Sequence, residues 1–99
     1  MQPVHLEFEG SVWFWKGPAP WYFVTVPADE SAQIKEIEKF STYGWGMIPV
    51  EATIGRTTWT TSLWPHNGQY ILPLKVDVRR REKIELDHVV RVEMSVVLS

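Results

Sequence analysis

The sequence predicts a mainly β fold: a small closed barrel with one short helix over about 29–40 and a second short helical segment over about 73–82. Three observations carry that reading. Val90, Val92, Met94, Val96 and Leu98 alternate with Arg91, Glu93 and Ser95, and Val4, Leu6 and Phe8 alternate with His5, Glu7 and Glu9. A period of two is the signature of a strand with one face in a core and one in water. Strong turn signals, Gly55-Arg56 and Pro65-His66-Asn67-Gly68, separate runs rich in β-branched residues. Helical periodicity is confined to short stretches, too little for a second layer.

The chain has 99 residues, enough for a single domain that buries roughly 60–65% of its unfolded surface. A hydrophobic share of 44% argues against disorder, and a net charge of −2 gives no overall pull toward nucleic acid. With no cysteine, disulfides, thiolate nucleophiles and cysteine metal sites are excluded. No apolar run approaches a membrane span, and the N-terminus lacks the layout of a signal peptide. A soluble, cytoplasmic protein is expected. Six tryptophans are too many for an average core, so these rings either dominate the packing or line a recognition surface.

In chain order, the even residues of Val4–Phe14 should face inward, with Gly10 marking a bulge that bends the strand. Trp13 and Trp15 fall on the otherwise polar odd face. Gly17-Pro18-Ala19-Pro20 is a turn, and Trp21–Val26 is apolar enough for a strand buried on both sides. Pro27 stops it. Asp29 is the expected N-cap of the first helix, whose narrow stripe of Ile34, Ile37 and Phe40 suits a plug at one end of the sheet. After the Gly44-Trp45-Gly46 loop, Met47–Ile54 reads as a strand, placed at an edge by Pro49. Thr57–Trp64 returns from the hairpin. Tyr70–Leu72 is a short strand, and Pro73 suits the first position of a helical turn. Leu74 and Val78 would then point inward, although Leu74, Val76 and Val78 also fit a strand.

Several blocks resemble a known family. Gly44-Trp-Gly-Met-Ile-Pro-Val50, Thr58-Trp-Thr-Thr-Ser-Leu63, Tyr70-Ile-Leu-Pro-Leu-Lys75 with Arg79, and Trp21-Tyr-Phe-Val24 resemble the bacterial family filed as domain of unknown function 1905. The resemblance implies a barrel of the double-split type. Its members stand alone or precede an OmpD-associated domain, and a chain of this length is expected to stand alone. The family has no established activity, so no catalytic residue carries over. A weaker likeness joins the tail to swapped-hairpin transcription factors of the AbrB type. It rests on Leu72-Pro73, Lys75, Arg79 and the Glu85-Leu86-Asp87 turn, with Leu86 where glycine is usual.

Most candidate sites read as ordinary surface, and one basic cluster admits a binding reading beside it. His5, His66 and His88 have no ligand spacing, and no metal or cofactor is expected. Glu7 and Glu9 read as a solvated face rather than an acid–base pair. The hydroxyls of Thr57–Ser62 lack a nucleophile motif, and Gly44-x-Gly46 lacks the lysine and helix start of a phosphate loop. Lys75, Arg79 and Arg80, with Trp45 or Trp59 nearby, could hold a planar anion between a guanidinium and a ring. The bland alternative is a solvated face laced with Asp77, Glu82 and Glu85. Trp21 and Trp59 are expected in the core. The leading reading is a non-catalytic module for a small anionic ligand or a protein partner, with homodimerisation through exposed rings or strand edges. A nucleic-acid binder and an enzyme of unknown reaction are the competitors, and no membrane partner is expected.

Overall fold

The computed structural model describes residues 4–17, 21–38 and 46–97. Along them run β1 (Val4–Trp15), β2 (Trp21–Val26), α1 (Ala28–Ile37), β3 (Ile48–Ile54), β4 (Thr57–His66), β5 (Gln69–Leu74), α2 (Val76–Arg81) and β6 (Val89–Val96). The strands close into a barrel in the order β1-β2-β5-β4-β3-β6, every neighbouring pair antiparallel. The mainly β barrel with two short helices is therefore what the alternation predicts.

β1 belongs to both halves of the barrel. Val4–Ser11 pair with β6 and Val12–Trp15 pair with β2. The register passes through Gly10 unbroken, so the expected bulge is absent. Gly10 instead occupies an inward position where a Cβ would lie 2.8 Å from Val24 Cγ1. Its missing side chain lets the wall turn tightly as β1 changes partner. Leu6, Phe8 and Val12 meet Val24, Val26, Val50, Ala52, Val92 and Met94 in the interior. Phe14 has the inward parity but lies at the barrel mouth, 37% exposed.

Pro49 does not mark an edge strand, because β3 lies between β4 and β6. Its pairing with β6 begins one residue later, at Val50, and the Pro49 carbonyl accepts the Val97 N–H at 2.9 Å. The missing donor falls where the ladder ends, which is why proline is tolerated. Gly55-Arg56 form the expected two-residue turn, with Ile54 opposite Thr57 and Gly55 at φ 60°. The next turn is tighter than the four-residue signal suggests. Pro65 and His66 stay in β4, and only Asn67 (φ 51°) and Gly68 (φ 79°) make the reversal. Two positive φ values match the strand twist.

The N-cap of α1 lies two residues earlier than expected, at Pro27 rather than Asp29. The Ser31 N–H donates to the Pro27 carbonyl at 2.8 Å. The Ser31 hydroxyl donates to the Val26 carbonyl and accepts the Tyr70 N–H, tying helix to sheet. Ile34 is completely buried, so α1 plugs an opening of the barrel. Phe40, assigned to its stripe, lies outside the described residues.

Pro73 is a strand residue, not the first residue of a helix. It pairs with Phe23 on β2, beyond Ile71, the last partner of β4. The helix expected over 73–82 shortens to Val76–Arg81 with Lys75 as N-cap. Leu74 and Val78 are both buried, as the helical reading requires, but from strand and helix respectively.

Candidate functional site

α2 ends in a closing pattern set entirely by backbone hydrogen bonds. The Ile84 N–H donates to the Arg79 carbonyl at 2.9 Å and the Lys83 N–H to the Arg80 carbonyl at 3.4 Å. Lys83 takes φ 54° in the position glycine usually fills. The chain then turns through Glu85–His88 with the positive φ at Asp87 (68°) rather than Leu86. Leu86 therefore needs no glycine. Asp87 N–H donates to the Val12 carbonyl, and the His88 carbonyl accepts the Val12 N–H, both at 2.9 Å. These bonds fix the 84–88 turn against β1 before β6 begins.

Between α2, this turn and the start of β2 lies an open depression of about 470 Å³ lined by Tyr22, Arg79, Ile84, Glu85, Leu86 and His88. The Arg79 guanidinium carbon sits 3.9 Å from the centroid of the Tyr22 ring. Its Nε is buried without a hydrogen-bond acceptor, and none of the ion pairs among the described residues involves Arg79. Phe14 packs edge-on against the Tyr22 ring, with centroids 5.0 Å apart, and holds it in place. His88 Nδ1 accepts the Glu85 N–H at 3.1 Å, which puts the neutral ring's proton on Nε2, 3.8 Å from Glu85 Oε2. One cation on a ring and one imidazole N–H thus border a partly apolar hollow. That donor set suits an anion with a flat apolar part.

The residues expected to bind are dispersed. Arg79 is half-buried in the depression, whereas Lys75 and Arg80 are exposed. Trp59 is buried in the barrel core with its Nε1 lacking an acceptor. Trp45 lies outside the described residues. The ring that meets Arg79 is Tyr22, and the imidazole beside it is His88. Neither stood out in the sequence, because both depend on strand pairing between distant segments. The only local hint was Tyr22's parity at the end of a strand.

A second feature occupies the outside of the barrel. Outward residues of β1, β2, β5 and the end of β4 form an aromatic layer of Trp13, Trp15, Trp21, Phe23 and Trp64, with His66 and Ile71. Trp21, expected in the core, is 40% exposed, and Trp15 and Trp64 are similarly open. Its parity places it beside Trp15, outside the wall. Phe23 and Ile71 are almost wholly buried yet lie outside the interior cluster. Trp13 and Trp64 cover Phe23, with centroids 5.2 and 5.3 Å away. Trp13 donates from Nε1 to Thr25 Oγ1 at 3.0 Å and stacks on His66.

On the opposite outer surface, His5, Glu7 and Glu93 bring one potential metal-ligand atom each within 4.8 Å of one another. All three are exposed, and Glu7 is already paired with Arg91 at 3.0 Å. The cluster carries no assignment. No helix among the described residues is long and apolar enough to cross a membrane.

Comparison with curated proteins finds no match. The chain belongs to the family described as Domain of unknown function (DUF1905), whose model matches residues 8–94, from Phe8 in β1 to Met94 in β6.

Proposed function

We propose that this chain is a single-domain, cytoplasmic, non-catalytic binding module whose ligand is a small organic anion held at the Arg79–Tyr22 depression. One observation carries the reading. Arg79 lies over the Tyr22 ring, unpaired with any carboxylate among the described residues, on the wall of a hollow of about 470 Å³. A guanidinium held by a ring instead of an acid is ready to take an incoming anion with little reorganisation. The non-catalytic part rests on exposure. The side chains of His88 and Glu85 are 49% and 82% exposed, so they lack the desolvated setting that poises a proton-transfer pair.

Nucleic acid is less well supported. Lys75 and Arg80 are exposed, but Arg79 is turned onto Tyr22 and Glu85 stands in the same depression. For homodimerisation the closed ring leaves only short strand edges, where Trp13–Trp15 pair with β2 alone and Trp64–His66 with β5 alone. The exposed rings remain.

The test is calorimetric titration and thermal shift with inorganic phosphate, benzoate and a nucleoside monophosphate. At least one of the ring-bearing anions should bind and raise the melting temperature. Arg79→Met should weaken it roughly tenfold or more, the scale of a lost hydrogen bond to a charged group, while Arg80→Met leaves it unchanged. No binding by any of the three at millimolar concentration, or equal binding by Arg79→Met, overturns the proposal.

A further inference from the structure

The aromatic layer outside the barrel is independent of the anion depression and calls for its own explanation. Trp13–Trp15, Trp21–Val26, Trp64–His66 and Gln69–Leu74, the segments that build it, contain no charged side chain. Water-facing positions of a sheet are ordinarily polar. Here three indoles stay 40–44% exposed in the same layer as a Phe23 and an Ile71 that are already buried. Covering those two side chains does not use up the outer faces of the rings.

Size restricts what can cover them. With strands about 4.8 Å apart and residues about 3.3 Å apart, four strands by five residues span roughly 300 Å². A stable interface between two folded proteins needs about 800 Å² from each partner. The face is too small for a second globular surface and large enough for a short extended segment.

Chemistry narrows the choice further. At the middle of this wall β2 and β5 are paired on both sides, so a chain lying across the rings cannot add to the ladder there. At the centre of the layer is an apolar groove of about 100 Å³ lined by Trp15, Phe23, Trp64, Pro65, His66 and Ile71. Trp15 stands edge-on to His66, at 83° and 5.9 Å, so two rings wall the groove. The lining has no lysine or arginine to meet a phosphate, which disfavours a nucleic-acid strand. The Trp64 indole is exposed and can donate to a carbonyl, whereas the Nε1 edge of Trp15 packs on Gly17 and leaves its ring face to the groove.

The geometry points to a proline-rich peptide in the polyproline II conformation as the occupant of this groove. Such a segment is pre-extended, presents apolar rings and keeps its carbonyls free. It needs no strand edge, only rings to pack on and N–H donors beside them.

The test uses octaproline with the whole chain, read by the indole N–H signals of the six tryptophans in two-dimensional NMR. The Trp15 and Trp64 signals should shift in a saturable way while the buried Trp59 signal stays still. Trp15→Ala or Trp64→Ala should weaken the affinity roughly tenfold or more, as truncating an aromatic anchor does. The Arg79→Met variant should bind octaproline as the parent does, which separates this site from the anion depression. The wild-type experiment is decisive even if a tryptophan variant folds poorly. Unmoved signals at millimolar octaproline overturn the proposal. So does a response of the same two indoles to oligothymidine but not to octaproline. Concentration-dependent shifts without peptide, together with a dimer by light scattering, would assign the face to a second copy and equally overturn it.

Discussion

The outer wall of this barrel has two halves that share strands but not chemistry. On β1, the odd residues His5, Glu7 and Glu9 face outward along β6, and four positions later Trp13 and Trp15 face outward along β2. The polar half continues through Arg91, Glu93 and Ser95 on β6 and Glu51 and Thr53 on β3. The aromatic half continues through Phe23, Ile71 and Trp64. Interior positions are similar in both, filled by Val, Leu, Ile, Phe and Met. The difference teaches where selection for folding stops. A barrel needs apolar residues inside and is indifferent to much of what stands outside, so an apolar outside half requires another reason.

The sharpest way to break that comparison is to remove the side chain the aromatic half buries. Phe23→Ala should cost about 3–5 kcal/mol, as deletion of a packed aromatic does, although Phe23 points away from the barrel interior. Thr60→Ala, at an exposed outward position of the polar half, should stay within about 0.5 kcal/mol. Urea unfolding of both variants gives the answer. A cost below about 1 kcal/mol at Phe23 would mean that the outer layer adds little to the fold.

A smaller effect is expected where α1 is clamped to the barrel. The Tyr70 hydroxyl donates to Glu38 Oε2 at 2.9 Å, and Lys35 donates to Glu38 Oε1 at 2.9 Å. Burial first, and then Glu38's hydrogen bond and charge, push the Tyr70 phenol from its ordinary value of 10.0 up to about 12. Its protonated form is favoured by folding, so this contribution is complete below pH 10 and disappears as pH rises through about 12. The Glu38 carboxyl is held below its ordinary value, by Lys35's hydrogen bond first and Tyr70's second. Its contribution is present above the ordinary carboxylate range and is lost as pH falls through the lowered value. Tyr70→Phe should therefore cost about 1 kcal/mol near neutrality and flatten the alkaline limb. Stability measured against pH, with tyrosinate absorbance followed alongside, checks both.

The smallest effect belongs to the polar half. Glu7 and Glu93 stand directly opposite each other, and among the described residues Arg91 offsets them, through Glu7. Like charges in register repel, so Glu93→Gln should stabilise by a few tenths of a kcal/mol at low salt, with the gain shrinking as salt rises. A melting temperature that falls would show that Glu93 makes a contribution beyond its charge.

Much of this architecture is legible without coordinates. The alternation in Val4–Phe8 and Val90–Val96 names the inward residues correctly, and Gly55-Arg56 names the hairpin. Proline misled where it usually informs. Pro49 and Pro73 stand in paired strands because each lies where one ladder runs out, and ladder ends are set by partners far away in sequence. Trp21 was misplaced for a related reason. An apolar run looks buried on both faces when one of those faces is an exposed aromatic layer.

The sequence by itself determined which side of each strand a residue occupies, since the pleat alternates residue by residue and the apolar side chains must leave water. It also determined the reversal at Gly55-Arg56, where local backbone preference decides, and the place of the next turn within Pro65–Gly68. The tertiary structure alone decided which outward residues become neighbours: that Trp15 meets His66, and that Arg79 rather than Arg80 rests on Tyr22. Those meetings depend on the register of strands far apart along the chain and on how α2 closes, and no local pattern encodes either. Strand burial is a property of each residue, whereas a binding site is a property of the pairing.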